Sequence, residues 1–208
     1  NLGHALEIIQ AKRGATYSVA WLDCLAQGQD LGRALITTGE HAAGPTPRRE
    51  AGAGFAMPVD LPGFVLNRHT IGAFNQLYYG RQRHGRADRL VPYAPFFYPL
   101  DGIRDWNRMY GSSGFTQYQC VIPHAAVAGL TLVLQPIAAS GKGSFLAVLK
   151  ELGEANANPL SFPLAGYTLA LDFKSEPGLA GLLNTLDAIV LDHGGRLYLA
   201  KDARMSTQ

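Results

Sequence analysis

The chain has 208 residues, of which 47% are hydrophobic and 16% are charged, and its formal net charge is +2. This composition is typical of a globular core and excludes an intrinsically disordered protein, and the charge is too small for a general nucleic-acid-binding protein. No apolar run reaches the roughly 18 residues of a membrane-spanning helix, and no secretory signal is visible. We therefore expect a cytoplasmic protein, with peripheral association with a membrane as the open alternative.

The first half of the chain predicts a helix, two strands and a second helix, separated by long loops. Helical spacing places Leu2, Leu6 and Ile9 on one face of the first helix. β-forming residues and renewed helical spacing predict the next elements, which are strands at residues 17–24 and 31–40 and a helix at residues 70–79. Weak periodicity predicts long loops at residues 42–68 and 80–95.

The second half has a regular β-α-β-β-α-β order. Its predicted strands are residues 115–122, 144–149, 167–173 and 197–200, and its predicted helices are residues 125–139 and 179–192. This order is the ferredoxin-like unit, in which two helices cover one face of an antiparallel sheet. We predict an α+β fold, with the early strands extending that sheet. The chain also starts inside one element and stops soon after another, which predicts a fragment of a longer protein.

Alternation along the strands divides this sheet into a helix-covered face and an open face. The apolar set that should meet the helices consists of Tyr118, Cys120, Ile122, Leu169, Leu171 and Phe173. The set that should share the open face consists of Gln117, Gln119, Thr168, Ala170 and Asp172. Lys150 and Lys201, each at a predicted strand end, are the basic groups nearest to it. The pattern fits either a solvated face or a polar floor for a ligand or second domain.

Three further features have a structural and a functional interpretation. Cys24 and Cys120 lie in apolar runs and are expected to be buried free thiols, and no spacing predicts a metal site. The basic run at residues 81–89 predicts a solvated loop, with contact to phosphate groups or to an anionic membrane surface as the alternative. The aromatic residues at 93–98 fit core packing or the lining of an apolar tunnel.

Short motifs along the chain carry a resemblance to a known family. They are YSVAWLD at 17–23, YPLD at 98–101, WNR at 106–108, GFTQYQ at 114–119, VIP at 121–123, SFLAVLK at 144–150, PLSFP at 159–163, Gly166, and GGRLYLAKD at 194–202. Together they resemble, in family order, the substrate-binding half of FAD-linked oxidases of the vanillyl-alcohol oxidase and p-cresol methylhydroxylase superfamily. The decaprenylphosphoryl-ribose oxidase branch is the nearest match.

The resemblance implies a domain arrangement. In that family an N-terminal domain holds FAD, and the C-terminal part caps the flavin ring and shapes the substrate pocket. Residues 1–208 would then form a single substrate-binding cap domain, with the N-terminal FAD-binding domain of the same protein as its partner. The isolated chain is expected to bind flavin poorly and to be inactive.

The resemblance also implies roles for individual residues. Lys201 matches the lysine beside the flavin pyrimidine ring, and Tyr198 matches its neighbour near the cofactor, so both are candidate catalytic and cofactor-binding residues. The candidate substrate-binding residues are Gln117, Gln119, Lys150, Thr168, Trp21 and Phe97. A cation fixed at Lys201 would stabilise the negative charge that the reduced flavin gains.

The function that the resemblance implies is oxidation of a CH–OH group. The substrate would be a sugar or a polyprenyl-phosphate-linked pentose, whose secondary alcohol passes a hydride to the flavin. Thr168 and Ala170 stand where mycobacterial-type enzymes carry Asn and Cys, and Phe97 stands where they carry Tyr, so another glycosyl-lipid, a free sugar or an aldonolactone stays open. A non-catalytic ferredoxin-like binding module is the alternative. One that reads RNA would need aromatic residues on its central strands, where this chain has Gln117 and Gln119.

Overall fold

The second half of the chain forms the predicted β-α-β-β-α-β unit in a computed structural model, which describes residues 1–44, 54–82, 88–98, 102–201 and 204. The elements are β5 (Phe115–Pro123), α4 (Ala128–Ser140), β6 (Ala147–Leu152), β7 (Gly166–Lys174), α5 (Leu179–Asp192) and β8 (Arg196–Leu197). These strands lie in the spatial order β8-β5-β7-β6, and every neighbouring pair is antiparallel. The predicted α+β fold is confirmed.

The early strands extend this sheet at its β6 edge. They are β1 (Tyr17–Leu22) and β2 (Ala34–Gly39), which follow α1 (Leu2–Ala11). β1 pairs antiparallel with β6, and β2 pairs antiparallel with β1. Among the described residues the sheet therefore has six strands in the order β2-β1-β6-β7-β5-β8. The predicted extension of the sheet is confirmed.

The hydrophobic core lies between the sheet and the helices α1, α4 and α5. One register row of the sheet faces it, with Ala20, Leu149, Leu169 and Cys120 side by side and each no more than 1% exposed. Leu134 and Ile137 of α4 and Leu183, Leu186 and Val190 of α5 are buried against this face. Burial of that many apolar side chains is the main force that holds the helices on the sheet.

The remaining elements lie toward the other face. They are β3 (Phe55–Ala56), α2 (Arg68–Gln82), α3 (Tyr93–Phe97) and β4 (Ile103–Arg104). α2 is attached through Asp23, a 2% exposed carboxylate that accepts hydrogen bonds from Asn75 and from Arg33, each at 2.8 Å. Because a buried carboxylate needs such partners, this cluster fixes α2 beside β1 and β2.

Cys24 and Cys120 are buried and free, as predicted. Burial raises the pKa of each thiol to about 12, so both stay protonated at neutral pH. Their role is packing.

Several predicted element boundaries differ from the structure, and four of these differences change the description of an element. The strand expected at 144–149 begins at Ala147, because the Ser144 hydroxyl bonds both the carbonyl and the amide of Leu146 in a local turn. The loop expected at 42–68 contains β3, while residues 45–53 lie outside the described residues. The loop expected at 80–95 begins within α2 and ends within α3. The basic run lies partly outside the described part, which lacks residues 83–87.

The fourth boundary concerns the strand expected at residues 197–200. β8 pairs with β5 only over Arg196–Leu197, and Leu199–Lys201 form one turn of 3₁₀ helix. The Tyr198 amide still donates to the Gln119 carbonyl at 2.9 Å, but the Lys201 amide donates to the Tyr198 carbonyl at 2.9 Å and closes the turn. Lys201 is therefore held by a turn rather than by a strand end.

Candidate functional site

A row of hydrogen-bonded polar side chains lies on the sheet face opposite the core helices. The Gln117 amide nitrogen (Nε2) donates to the Asp172 carboxylate (Oδ1) at 3.0 Å, and the Gln119 amide nitrogen donates to the Thr168 hydroxyl at 3.0 Å. Strand pairing explains both contacts, because Gln117 and Asp172 are register partners and Thr168 lies opposite Val121, two residues beyond Gln119 on the same face. We call Gln117, Gln119, Thr168 and Asp172 the polar floor.

The polar floor is more enclosed than an open sheet face. Asp172 is 5% exposed and Thr168 is 3% exposed, while both glutamines are half-buried. A freely solvated face does not describe these positions. The interpretation as a floor for a ligand or a second domain agrees with their burial and pairing.

Aromatic rings enclose the Asp172 end of the polar floor. Tyr110 is 3% exposed, and its ring stacks on Phe115 of β5 at 4.7 Å and on Phe145 at 5.6 Å between centroids. The pKa of Tyr110 is raised, first by burial and then by the negative charge of Asp172, which places the two side chains within electrostatic reach. This end of the floor is therefore covered by residues that follow β4.

The loop between β6 and β7 encloses the other end. Its Phe162 ring packs on the Tyr198 ring with 4.8 Å between centroids. The Arg196 guanidinium donates to the Ser161 and Pro163 carbonyls at 2.9 and 3.1 Å, which ties the loop to β8. The Tyr198 ring therefore has a packing role that is separate from any role of its hydroxyl group.

Lys201 lies at a small pocket beside the polar floor. The described residues that line this pocket are Gln117, Tyr118, Gln119, Leu197, Tyr198, Lys201 and Arg204. Side chains three apart in a 3₁₀ turn point the same way, so the turn that replaces the predicted strand brings Tyr198 and Lys201 to one side. The structure thus brings four of the predicted site residues together at one pocket.

Asp172 gives this region a buried negative charge. Burial raises the pKa of its carboxyl group above the ordinary 3.8, against the opposing effects of the Gln117 hydrogen bond and the Lys201 charge. The Lys201 ammonium is therefore near enough to the Asp172 carboxyl group to affect its titration.

The other predicted pocket residues lie farther along the same face. Lys150 is exposed and is the register partner of Thr168, and Trp21 lies on β1, one strand beyond β6. The Trp21 indole donates to the Phe145 carbonyl at 2.9 Å. Phe97 of α3 packs on Tyr17 of β1 with 4.8 Å between ring centroids. At about 4.8 Å per strand, β6 lies roughly 10 Å and β1 roughly 14 Å from β5, so these side chains lie away from the Lys201 pocket.

Asp172 and Tyr110 are site residues that the sequence prediction did not select. Alternation places Asp172 on the same face as the glutamines, but only the β5–β7 register makes it the partner of Gln117. No sequence pattern pointed to Tyr110 as a site residue. It lies outside the predicted strands, in the segment after β4, and reaches the site only through its ring contacts with Phe115 and Phe145.

Two features are absent from the described residues, a metal-binding cluster and a membrane-spanning helix. In that part of the chain no three His, Cys, Asp or Glu side chains group where a metal ion could bind. The same residues include no helix with the length and apolar character that crossing a membrane requires.

Comparison with known proteins identifies relatives of the chain. No protein-family model matches it. It is 37% identical over 202 residues to decaprenylphosphoryl-beta-D-ribose oxidase of Mycolicibacterium smegmatis, an alignment that covers 93% of this chain and 44% of that protein. It is 30% identical over 207 residues to an uncharacterized protein in the mprA 5' region of Streptomyces coelicolor, covering 91% of this chain and 56% of that protein.

The chain spans about half the length of the curated relatives it matches. Within that span the match runs through nearly all of its own residues, so the elements that build the polar floor fall inside the aligned region. The chain is therefore a relative of decaprenylphosphoryl-beta-D-ribose oxidase, which confirms the resemblance that its motifs indicate.

Proposed function

We propose that this chain is the substrate-binding cap of an FAD-dependent oxidoreductase that oxidises a secondary alcohol of a sugar. A polyprenyl-phosphate-linked pentose is the substrate that the name of the Mycolicibacterium relative favours. The observation that carries the proposal is the convergence of Lys201 and Tyr198 with Gln117 and Gln119 at one pocket, in a chain 37% identical to a protein named as an oxidase.

The residues at this pocket fit the carbonyl edge of a flavin ring. Lys201 offers an ammonium group, and the Tyr198 hydroxyl offers a further donor, both on one short turn. When bound, the flavin supplies a hydride acceptor whose N1–C2 carbonyl edge becomes negative on reduction. Lys201 would stabilise that charge, and the Asp172 carboxyl group lies near enough to interact electrostatically with Lys201.

The polar floor and the side chains farther along the same face fit a hydroxylated substrate with an anionic group. Half-buried amides can each donate to and accept from a hydroxyl group, which suits Gln117 and Gln119. Thr168 holds the Gln119 side chain in position by accepting a hydrogen bond from its amide nitrogen. Lys150 is exposed on β6, on the same face as Thr168, where its ammonium could meet a phosphate. Trp21 and Phe97 would form the apolar wall beyond it.

The proposed enzyme needs a second part. The relatives are about twice as long as the aligned region, and the cofactor would be held mainly by an N-terminal FAD-binding domain of the same protein. The chain described here would supply Lys201 and the substrate floor. In the complete protein the FAD-binding domain would then cover the Lys201 pocket, which lies at the surface of this chain.

The test is anaerobic reduction of the flavin in the longer protein that contains this chain. A short-chain prenylphosphoryl-β-D-ribose should bleach the visible flavin absorbance, and free D-ribose and an aldonolactone test the other substrate classes. Bleaching by free D-ribose at an equal rate would move the assignment to a free-sugar oxidase. No bleaching with any of these probes contradicts the proposed function.

A non-catalytic binding module is the alternative class. The two central strands present amides and Thr168 where a ferredoxin-like RNA-binding sheet uses aromatic rings for stacking. That difference disfavours RNA as the ligand. Tight binding of single-stranded RNA that weakens steeply with salt would favour the alternative.

A further inference from the structure

Each glutamine of the polar floor has a partner on β7 whose chemistry decides which end of the amide faces it. A glutamine amide carries an acceptor oxygen at one end and two N–H donors at the other. An ionised carboxylate can only accept hydrogen bonds. Ionised Asp172 therefore holds the Gln117 Nε2 toward it, at 3.0 Å, and the Gln117 Oε1 away from it.

Thr168 orients Gln119 by a different route. The Thr168 hydroxyl has one proton, and it donates that proton to the Cys120 backbone carbonyl at 2.9 Å. Its oxygen can then only accept, and it accepts from the Gln119 Nε2 at 3.0 Å. Gln119 is thus held with its Oε1 pointing away from Thr168.

We infer that Asp172 and Thr168 are positioning residues that lock both amides, so that the floor offers the Gln117 and Gln119 Oε1 atoms as acceptors for two hydroxyl groups of a polyol substrate. The substrate part of this inference rests on the proposed function. The lock itself is a property of the free protein, because every bond in it is internal.

The spacing of the two amides suits two hydroxyl groups of one ligand. Gln117 and Gln119 lie two residues apart on the same face of β5, which separates their Cα atoms by about 7 Å. Each locked amide keeps Oε1 and one N–H for a ligand, and a hydroxyl group can satisfy an acceptor or a donor. An unlocked amide could turn over and present two N–H groups instead, which would weaken the preference for a hydroxyl donor.

Burial makes the two β7 residues effective as locks. Thr168 and Asp172 are 3% and 5% exposed, so water competes weakly for their hydrogen-bonding groups. Turning either amide over would place its oxygen against another acceptor and leave a buried polar group without a partner. The glutamines themselves are only half-buried, which leaves their outer atoms accessible.

The first test measures the lock without any ligand, in the longer flavoprotein. Glutamine labelled with ¹⁵N at its side-chain amide gives a resonance pair for Gln119, assigned with a Gln119→Ala variant. We expect Thr168→Val, which keeps the shape and removes the hydroxyl, to shift this pair and speed its proton exchange with water by about tenfold or more. Thr168→Ser keeps a hydroxyl and should restore both. A Gln119 resonance unchanged in Thr168→Val overturns the inference.

The Asp172→Asn variant tests whether Asp172 orients the Gln117 amide, by the same resonance measurement. It also provides a test if Thr168→Val fails to fold. Asparagine can present either its oxygen or its nitrogen, so the Gln117 amide loses its imposed orientation. We expect its resonance pair to move while that of Gln119 stays in place. A Gln117 pair unaffected by Asp172→Asn contradicts the role of Asp172.

The second test measures recognition by its selectivity. The probes are prenylphosphoryl-β-D-ribose and analogues in which one non-reacting hydroxyl is replaced by hydrogen. Wild-type protein should prefer the hydroxylated probe by about tenfold or more in kcat/KM, and the ratio should fall toward one in Thr168→Val and recover in Thr168→Ser. A merely structural role would slow both probes equally and leave the ratio unchanged, which would overturn the inference.

The two tests separate this inference from the proposed function. If wild-type protein reduces its flavin with none of the probes, the proposed function fails and the polyol part of the inference fails with it. The amide resonances still decide the lock in that case. If wild-type protein turns over the probes and the kcat/KM ratio is the same in Thr168→Val as in wild type, the proposed function stands and the inference fails.

Discussion

The amide nitrogen of Gln117 lies 3.0 Å from the carboxylate of Asp172, across the pairing of β5 with β7. This hydrogen bond and the Lys201 charge both favour the ionised carboxylate, whereas burial disfavours it and prevails. The pKa of Asp172 is therefore raised, and its protonation state is coupled to the two groups that face the proposed ligand. The titration of Asp172 should therefore be visible in how the free energy of unfolding depends on pH.

Asp172 should make stability fall as the pH rises above the ordinary carboxyl range. Its pKa in the folded protein is raised above 3.8, so folding favours the protonated form. The resulting penalty is absent below the unfolded pKa and complete above the folded pKa. Urea unfolding of wild type and Asp172→Asn across this range should show wild type losing stability relative to the variant as pH rises. The other carboxyl groups, and Lys201 and Tyr110 beside Asp172, are present in both proteins and cancel. A pH-independent difference would contradict this prediction.

Lys201→Ala should abolish flavin reduction by substrate in the longer protein and leave the fold intact. Loss of a fixed charge that stabilises the transition state costs about 10²-fold or more in the rate of hydride transfer. Stopped-flow absorbance measures that rate, and thermal unfolding reports the fold. Lys12→Ala removes an exposed lysine at the end of α1 and serves as the matched control. Wild-type rates in Lys201→Ala would remove the role that we propose for this lysine.

Asn75→Ala should destabilise the protein through the buried carboxylate of Asp23. Asn75 is 0% exposed and donates to Asp23 at 2.8 Å, and hydrogen bonds to charged groups contribute about 1.5–3 kcal/mol. The free energy of unfolding in urea should fall by about that amount. Gln76→Ala, at an exposed position on the same helix, should change it by less than about 0.5 kcal/mol. Equal effects of the two variants would mean that the Asp23 cluster does not hold α2.

Tyr198 can be divided into a packing part and a hydroxyl part. Its ring packs on Phe162, and aromatic pairs of this kind contribute about 0.5–1.5 kcal/mol. Tyr198→Phe should therefore unfold like wild type, whereas Tyr198→Ala should lose at least that much stability. Comparing flavin reduction in Tyr198→Phe with wild type then isolates the hydroxyl. A large loss of stability in Tyr198→Phe would show that the hydroxyl has a structural bond of its own.

The isolated chain of 208 residues should bind free FAD weakly and should not oxidise the probes. Its Lys201 pocket offers contacts to one edge of the ring only, and the proposal assigns the rest of the cofactor to another domain. Fluorescence titration of FAD with the isolated chain measures this, and the longer protein provides the reference. Tight binding at one FAD per chain would contradict the division between the two domains.

The regular second half of the fold could be predicted because each element carries its own local signal. Leu179–Asp192 was predicted with its observed bounds, since apolar residues recur at helical spacing, Pro177 precedes the helix and Gly194 follows it. The end of the chain misled the prediction, because Leu197 to Ala200 form a short run of apolar and aromatic residues that is typical of a strand. β8 ends at Leu197, and the next residues form a turn in which the Lys201 amide donates to the Tyr198 carbonyl. The local sequence pattern does not distinguish this turn from a longer strand.

The sequence by itself determined the class of the fold, the faces of its strands and the kind of protein. Alternation assigned Gln117, Gln119, Thr168 and Asp172 to one face, and the motifs indicated the family. Only the tertiary structure decided which of these residues are partners. Partnership depends on strand register and on the segments that cover the sheet, both of which are contacts between residues far apart in the chain. That is why Asp172, half of the bond that orients Gln117, became visible as a site residue only when β5 and β7 were placed side by side.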